Sequence, residues 1–194
     1  MGSFLAFLTA CGDRDTSTQA AQQRADSIAL SLPDLEGRSL DPFQISTNTK
    51  AIAFFFINTD CPISNRYAPE IQRIAAEFKT NGVNFWLVYA DPDTSVEAIR
   101  KHTNEYRYSI PVLRDPRHTL VKRSQVAVTP EAAVFLSTGR LLYSGRIDNR
   151  YLDFGKERPA PTKRDLQEVL RGLLRGDRMP NLRQPAVGCS IFSP

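Results

Sequence analysis

The stretch that decides the fold, residues 54–78, reads FFFINTDCPISNRYAPEIQRIAAEF. It opens within an apolar run, 51–57, which predicts a strand buried on both faces. A helix is expected over 63–80, because apolar side chains recur there at helical spacing. Cys61-Pro62 stands at the junction, where proline suits the first helical position. The stretch therefore predicts a strand that delivers a cysteine to the N-terminus of a helix.

Cys61 carries the reactive chemistry of this stretch. The unpaired N–H groups and the positive end of the dipole at a helix N-terminus favour a thiolate over a thiol. Because the thiolate is the nucleophilic form, Cys61 is the candidate catalytic atom. The alternative is an inert, buried thiol that packs as a small hydrophobic side chain. The position at a helix start favours the catalytic interpretation.

This arrangement resembles the thioredoxin superfamily, in which a Cys-x-x-Cys pair or a lone cysteine lies between the first core strand and its helix. Here the four residues are Cys61-Pro62-Ile63-Ser64, and Ser64 cannot resolve a mixed disulfide formed at Cys61. The closer resemblance is therefore to the peroxiredoxins, which use one attacking cysteine at this place. Asn58 replaces their usual upstream Thr or Ser. The chain is identified as a peroxiredoxin-like, redoxin (AhpC/TSA-type) protein.

Thr129-Pro130 is the second informative feature, because it directly precedes an apolar run that ends at Leu136. Proline fits at the start of a strand but not inside a central strand. In thioredoxin-like proteins a cis-proline at this place lies beside the reactive cysteine, and the preceding residue presents its backbone to a bound substrate. The resemblance thus implies a cis peptide and substrate-binding roles for both residues. The alternative is an ordinary trans proline that initiates a strand.

Strands and helices alternate along the chain. The apolar run 83–90 predicts a second parallel strand, and Asp93 or Thr94 is expected to cap a helix over about 95–107. This order favours an α/β sheet with right-handed crossovers. The fold class expected is α/β, a thioredoxin-like three-layer fold with a central mixed β-sheet flanked by helices.

The second half of the chain is expected to close this sheet with an antiparallel strand over 141–147. A loop over 148–161 follows, and Thr162 is expected to cap a last helix. Arg146 and Arg150 are candidates to supply positive charge to the reactive cysteine or to an anionic substrate. The alternative is that both arginines are ordinary surface residues.

The N-terminus has a pattern of its own. Residues 8–11, Leu-Thr-Ala-Cys, resemble the end of a bacterial lipoprotein signal peptide, and the apolar run before Cys11 is too short to span a bilayer. The resemblance implies that residues 1–11 are signal-like, that Cys11 carries a lipid, and that the protein is extracytoplasmic and membrane-anchored on the periplasmic side. Residues 12–27 are expected to form a flexible tether. The alternative is an ordinary disordered terminus.

The remaining chain divides into a redoxin domain over about 28–176 and a C-terminal tail over 177–194. Cys189 lies in this tail and is the only remaining thiol for Cys61. A resolving role requires the tail to fold back, so that the two Cα atoms lie within about 7 Å. An unrelated thiol or a structural disulfide is the alternative.

Composition limits the partners and cofactors. The chain has 194 residues, a net charge of +4 and 41% hydrophobic residues, as an ordinary globular domain has. It shows no nucleic-acid-binding signature, so no nucleic-acid partner is expected. No short metal-ligand cysteine spacing occurs, and neither cofactor nor metal is expected. The two histidines, His102 and His118, are expected in surface or capping roles.

Three functions remain open. A peroxiredoxin-like antioxidant enzyme would use Cys61 to attack a peroxide, with Cys189 or an external thiol donor condensing with the sulfenic acid. An extracytoplasmic thiol–disulfide oxidoreductase would use Cys61 to attack a protein disulfide. A non-enzymatic copper or haem-assembly chaperone would bind metal through the two cysteines and His102 or His118. The missing second cysteine of the dithiol motif favours the first.

Overall fold

The computed structural model describes residues 30–179 and 182–191. Its strands are β1 (Leu32–Pro33), β2 (Ser39–Leu40), β3 (Ala51–Ile57), β4 (Val83–Tyr89), β5 (Val112–Arg114), β6 (Val128–Thr129), β7 (Glu131–Leu136), β8 (Leu141–Gly145), β9 (Tyr151–Asp153), β10 (Lys156–Glu157), β11 (Leu182–Gln184) and β12 (Cys189–Ser190). Its helices are α1 (Pro62–Lys79), α2 (Val96–Glu105), α3 (Thr119–Ser124) and α4 (Asp165–Arg175). The predicted lipid attachment at Cys11 and the predicted tether lie outside the described residues. Within them, no helix combines the length and the hydropathy needed to cross a bilayer.

β3 lies inside a six-stranded sheet with the order β11-β8-β7-β3-β4-β5. Parallel pairing joins β3 to β4 and β4 to β5, whereas β7 runs antiparallel to both β3 and β8. The sheet is therefore mixed, as predicted. Every residue of β3 is buried, because both faces of the sheet are covered.

The two faces of β3 define the layers. Successive strand side chains point to opposite faces. Phe55 packs in one hydrophobic cluster with Ile71 of α1 and Leu170 of α4. Phe54 packs in the other cluster with Leu120 of α3. The sheet thus lies between two covering layers, which confirms the predicted thioredoxin-like three-layer fold.

The predicted cap of α2 is wrong. Ser95 is the N-cap residue, and its Oγ accepts a hydrogen bond from the Ala98 N–H at 3.1 Å. Asp93 and Thr94 belong instead to a turn built on Asp91, whose carboxylate accepts hydrogen bonds from the Asp93 N–H at 2.9 Å and the Thr94 hydroxyl at 2.8 Å. The Asp91 turn therefore delays the helix start.

The predicted loop over 148–161 contains the hairpin formed by β9 and β10. Asn149 closes its base: Oδ1 accepts hydrogen bonds from the N–H groups of Thr162 and Lys163, both at 2.9 Å. The Asn149 amide also donates to the Thr162 hydroxyl at 2.8 Å. Thr162 therefore fastens this loop and does not cap α4, whose N-cap residue is Arg164.

The described part of the predicted tail belongs to the domain. β11 extends the main sheet in parallel beside β8, and β12 pairs with β6. Gly145 permits the close pairing of β11 with β8, because a Cβ at this position would lie 2.0 Å from the Gln184 carbonyl oxygen. The boundary expected at Gly176 marks the end of α4 but does not separate an independent tail.

Candidate active site

Cys61 occupies the position that the sequence predicts for it. It is the N-cap residue of α1, and Pro62 follows at the first helical position. Its side chain is buried, with only 1% of the residue exposed. The thiol donates a hydrogen bond to the carbonyl oxygen of Thr129 at 3.0 Å. The sulfur therefore lies between the start of α1 and strand β6, which carries Thr129.

The peptide bond between Thr129 and Pro130 is cis, as the resemblance implies. Glu131 follows it and is 4% exposed. Its carboxylate accepts hydrogen bonds from the N–H groups of Ala127 at 2.8 Å and Val128 at 3.1 Å. The carboxylate thereby holds the segment that supplies the Thr129 carbonyl to Cys61. Burial raises the pKa of Glu131 despite these two hydrogen bonds.

Cys189 lies beside this segment, because β12 pairs antiparallel with β6 and places Cys189 directly opposite Thr129. A further backbone hydrogen bond joins the Ile191 N–H to the Ala127 carbonyl at 2.9 Å. Gly188 makes the approach possible, since a Cβ there would lie 2.2 Å from the Thr129 oxygen. The tail therefore folds back onto the site, and Cys61 and Cys189 are both free thiols.

The two thiols differ in acidity. Burial on its own raises the pKa of Cys61, but hydrogen bonds from the Cys189 side chain and from Ser64 outweigh it and hold that pKa below its ordinary value. Burial, followed by the hydrogen bond to Cys61, raises the pKa of Cys189 to about 12. Because the thiolate is the nucleophilic form, these opposite shifts in pKa favour Cys61 over Cys189 as the nucleophile.

Ser64 has a role that the sequence analysis missed. Its backbone N–H and its hydroxyl both help to hold the pKa of the Cys61 thiol below its ordinary value. The hydroxyl is buried and makes no hydrogen bond to any described residue while Cys61 is a thiol that donates to Thr129. The signal in the sequence is the three-residue spacing, since an N-cap side chain meets the N–H of the third helical residue. Ser64 thus replaces the second cysteine of the dithiol motif with a buried hydroxyl that lowers the pKa of Cys61.

His102 is buried rather than at the surface, with 5% of the residue exposed. Its Nδ1 accepts a hydrogen bond from the Tyr89 hydroxyl at 2.7 Å. The Asn65 amide donates to the Thr59 carbonyl at 3.0 Å, so the Asn65 oxygen accepts from Nε2 of His102 at 2.8 Å. This chain of hydrogen bonds ties α2 to the turn that precedes Cys61. Burial lowers the pKa of His102, which favours the neutral ring.

The two candidate arginines are engaged elsewhere. The Arg146 guanidinium donates two hydrogen bonds to the Asp165 carboxylate, at 2.9 and 3.1 Å. Arg150 forms an ion pair with Glu157 at 3.2 Å. The structure therefore places Arg146 at the start of α4, and its predicted role in substrate binding has no contact at the sulfur to support it.

Metal ligands do not cluster at the site. In residues 30–179 and 182–191, no group of three His, Cys, Asp or Glu side chains is placed to hold a metal ion. His118, the other histidine considered, has its Nε2 2.9 Å from the Ala90 carbonyl oxygen.

A cavity of about 390 Å³ opens beside Cys189. Its walls come from the first turn of α1 and from the β9–β10 hairpin, and its lining includes Pro62, Ile63, Arg66, Tyr151, Phe154 and Cys189. Cys189 is half-buried, in contrast to Cys61. The cavity therefore gives access to the site from the side of Cys189.

The fold and the cysteine site define the class of the protein as a thiol oxidoreductase of thioredoxin-like fold. The AhpC/TSA family model matches residues 22–143, more than half of the chain, and the chain belongs to the AhpC/TSA family. No curated protein gives a significant match to the sequence. The family is therefore fixed by the region that contains Cys61 and the cis-proline.

Solved structures share the fold. An uncharacterized conserved protein from Geobacillus kaustophilus aligns with a TM-score of 0.72 and 24% identity, over 86% of this chain and 89% of that chain. A hypothetical protein from Sinorhizobium meliloti 1021 aligns with a TM-score of 0.68 and 22% identity, over 84% and 90%. A secreted Mycobacterium tuberculosis disulfide oxidoreductase aligns with a TM-score of 0.51 and 18% identity, over 78% and 98%. At these identities the likeness establishes the thioredoxin-like fold.

Proposed function

We propose that this chain is a peroxiredoxin-like thiol oxidoreductase in which Cys61 attacks a peroxide and Cys189 resolves the product. The observation that carries this proposal is the placement of both cysteines against Thr129. Cys189 lies opposite Thr129, whose carbonyl accepts a hydrogen bond from the Cys61 thiol. The pKa of Cys61 is lowered and that of Cys189 is raised, which favours Cys61 as the nucleophile and keeps Cys189 protonated. An attacking and a resolving thiol need this asymmetry.

The reaction follows from the two sulfurs. The Cys61 thiolate attacks one peroxide oxygen, the O–O bond breaks, and the leaving oxygen takes up a proton as water or an alcohol. Cys61 becomes a sulfenic acid. The Cys189 thiol then attacks that sulfur, water leaves, and a Cys61–Cys189 disulfide forms. Two external thiols restore both cysteines by exchange and leave as a disulfide.

The burial of Cys61 favours a small oxidant. With 1% of the residue exposed, its sulfur is closed to the backbone of a folded protein unless β12 moves, so the site suits a small oxidant better than a protein disulfide. The Thr129 carbonyl accepts from the thiol in the resting state. Thr129 and Pro130 are proposed to keep the sulfur oriented and to contact the substrate.

Exchange with a protein disulfide is the second candidate. The observation in its favour is the cavity at Cys189, which is open to solvent and lies next to the exposed side chains of Leu152 and Phe154. In this case the tail would lift from β6 to expose Cys61. A metal-chaperone function has no comparable support, because the hydrogen bonds of His102 tie it to Tyr89 and Asn65.

An extracytoplasmic location is part of the proposal. It is supported by the lipoprotein-like residues 8–11 and by the fold shared with a secreted Mycobacterium tuberculosis disulfide oxidoreductase. Detection of a lipid on Cys11 by mass spectrometry of the protein expressed from its full sequence tests the anchor. An unmodified Cys11 in the membrane fraction rejects it.

Peroxide turnover tests the activity. With dithiothreitol as reductant, we expect hydrogen peroxide consumption that is lost in Cys61→Ser. In Cys189→Ser we expect a Cys61 sulfenic acid that dimedone traps after one turnover. Reduction of insulin disulfides with no peroxide consumption would instead select the second candidate. Peroxide consumption that persists in Cys61→Ser rejects the proposed site.

A further inference from the structure

The β9–β10 hairpin presents two apolar side chains to solvent at its tip. Leu152 is 54% exposed and Phe154 is 63% exposed, and no other large hydrophobic residue is exposed in the described part of the chain. Exposure of apolar surface to water is unfavourable. An exposed apolar pair at one place, rimmed by polar residues, therefore indicates a surface that contacts another molecule.

Contacts at the base of the hairpin hold it on α1. The Tyr151 ring packs against the Tyr67 ring, with the two centroids 5.6 Å apart. Arg66 of α1 donates a hydrogen bond to the Glu157 carboxylate of β10 at 2.8 Å. Because Tyr151 faces α1, the next side chain along the strand, Leu152, points away from the domain. The base of the hairpin is thus bound to the domain while its tip projects from it.

Basic side chains surround the apolar tip. Residues 148–164 hold five Lys or Arg against three Asp or Glu. Of the three acidic residues, Asp148 is buried, Glu157 shares its carboxylate between two arginines, and Asp153 is exposed. Lys156 is exposed beside the turn. Apolar side chains with an excess of positive charge around them are typical of a surface that binds anionic lipid.

A lipid bilayer fits this surface better than a protein partner does. A specific protein interface buries about 800 Å² on each partner and requires complementary shapes. The exposed apolar surface of the described residues consists here of Leu152 and Phe154 at the end of a hairpin, which is much less than such an interface needs. A bilayer requires no complementary shape, so two projecting side chains can enter its interface.

The proposed lipid anchor is a further argument for a bilayer. A lipid on Cys11 would leave residues 12–29 between the bilayer and the described domain, which begins at Leu30. A segment of this length spans at most about 60 Å. The anchor would therefore keep the domain within reach of the bilayer without selecting the face that meets it. A second contact through apolar and basic side chains selects that face.

We propose that the tip of the β9–β10 hairpin inserts Leu152 and Phe154 into the interface of a bilayer that contains anionic lipid. The basic side chains around the tip then lie at the level of the headgroups. Phe154 also lines the cavity of about 390 Å³ beside Cys189, so this contact turns the mouth of the cavity towards the membrane surface. The inference concerns the orientation of the domain and does not depend on the reaction at Cys61.

Vesicle binding tests the contact in the absence of the anchor. The full chain carries Cys11→Ser, so that no lipid is attached, and is mixed with vesicles of three parts phosphatidylcholine to one part phosphatidylglycerol. We expect Leu152→Ser combined with Phe154→Ser to lower the partition coefficient about tenfold, equivalent to ~1.4 kcal/mol. Equal binding by this double variant and by its Cys11→Ser parent overturns the inference.

Removal of single charges tests whether the hairpin faces the membrane. Lys156→Ser removes an exposed charge from the hairpin. Lys122→Ser, the matched control, removes one from α3, which packs on the opposite face of the sheet from Tyr151. We expect Lys156→Ser to lower vesicle binding about fivefold and Lys122→Ser to leave it unchanged. An equal loss in both variants shows a general attraction by the net charge and rejects the hairpin as the contact.

Tryptophan fluorescence locates the tip in the bilayer. Trp86 is the only tryptophan of the sequence, and its Nε1 has no hydrogen-bond partner among the described residues, so Trp86→Phe removes no hydrogen bond. With Trp86→Phe and Phe154→Trp combined, we expect vesicles to shift the emission to shorter wavelength and acyl-brominated phosphatidylcholine to quench it. The parent chain, which keeps Trp86, is the control and should show neither effect. Emission from position 154 that vesicles leave unchanged overturns the inference and points instead to a protein partner at the tip.

Discussion

Cys189 lies directly opposite Thr129 in an antiparallel pair of short strands. The same Thr129 accepts a hydrogen bond from the Cys61 thiol, so one residue contacts both cysteines. Non-covalent pairing of the backbone thus places the C-terminal thiol at the site before any sulfur–sulfur bond exists.

Removal of the Cys189 thiol should make Cys61 less acidic. The Cys189 hydrogen bond is one of the interactions that hold the pKa of Cys61 below its ordinary value against the effect of burial. Titration of thiolate absorbance at 240 nm should therefore show a higher pKa for Cys61 in Cys189→Ala than in the wild type. Cys189→Ser keeps a hydroxyl donor and should give a smaller rise. An identical pKa for Cys61 in all three proteins contradicts the predicted thiol pairing.

Gly188→Ala should impair formation of the disulfide. An added Cβ would lie 2.2 Å from the Thr129 oxygen, so the tail must move away from β6. We expect diamide to form the Cys61–Cys189 disulfide about tenfold more slowly, equivalent to ~1.4 kcal/mol. Gly37→Ala is the control: Gly37 has a φ of +76° and open space around it, so its loss strains a distant turn alone. Equal rates in Gly188→Ala and the wild type would show that pairing with Thr129 is dispensable.

Glu131→Ala should destabilise the segment before the cis-proline, because the Ala127 and Val128 N–H groups lose their acceptor. Urea unfolding should show a loss of about 1–3 kcal/mol. Glu131→Gln keeps an acceptor oxygen and is the matched control.

The raised pKa of Glu131 predicts that the stability of the protein depends on pH. Burial raises the pKa of Glu131 above its value of 4.5 in the unfolded chain, so the folded state binds this proton more tightly. The stability that this tighter proton binding contributes is fully present below pH 4.5, and it is lost as the pH rises through the folded-state pKa of Glu131. Glu131→Gln should therefore gain stability relative to the wild type as the pH rises above 4.5. A difference that stays constant with pH is the contrary result.

His102 should make the protein sensitive to mild acid. Burial, which outweighs the nearby carboxylates, lowers the pKa of His102 below its value of 6.5 in the unfolded chain. The unfolded chain therefore binds the proton first, and the stability that is present above pH 6.5 is lost as the pH falls from there through the folded-state pKa. Thermal unfolding at a series of pH values should show this decline in the wild type and in the control His118→Gln. In His102→Gln the decline should be weaker, and an unchanged slope would refute the assignment.

Local patterns in the sequence determined the core of the site. The position of Cys61 at a helix start could be predicted from the residues on either side of it. A strand buried on both faces gives a continuous apolar run, as in 51–57, whereas a helix buried on one face repeats its apolar residues every three or four positions. Thr129-Pro130 was found because proline is restricted to strand starts and because the arrangement resembles thioredoxin-like proteins. The α/β order followed from the same alternation of strands and helices.

Contacts between distant segments decided the rest. The sequence left the partner of Cys189 open, since whether the tail folds back depends on β12 reaching β6 and on a glycine at 188 that allows it. The sequence also indicated no role for Glu131, and it predicted a surface or capping role for His102, which is buried. Hydrogen bonds to a distant segment leave no periodic pattern in the sequence from which these roles could be predicted. The sequence alone is sufficient where the spacing of buried residues along one helix or strand identifies that element. Tertiary structure decides where a charge or a thiol needs a partner from elsewhere in the chain.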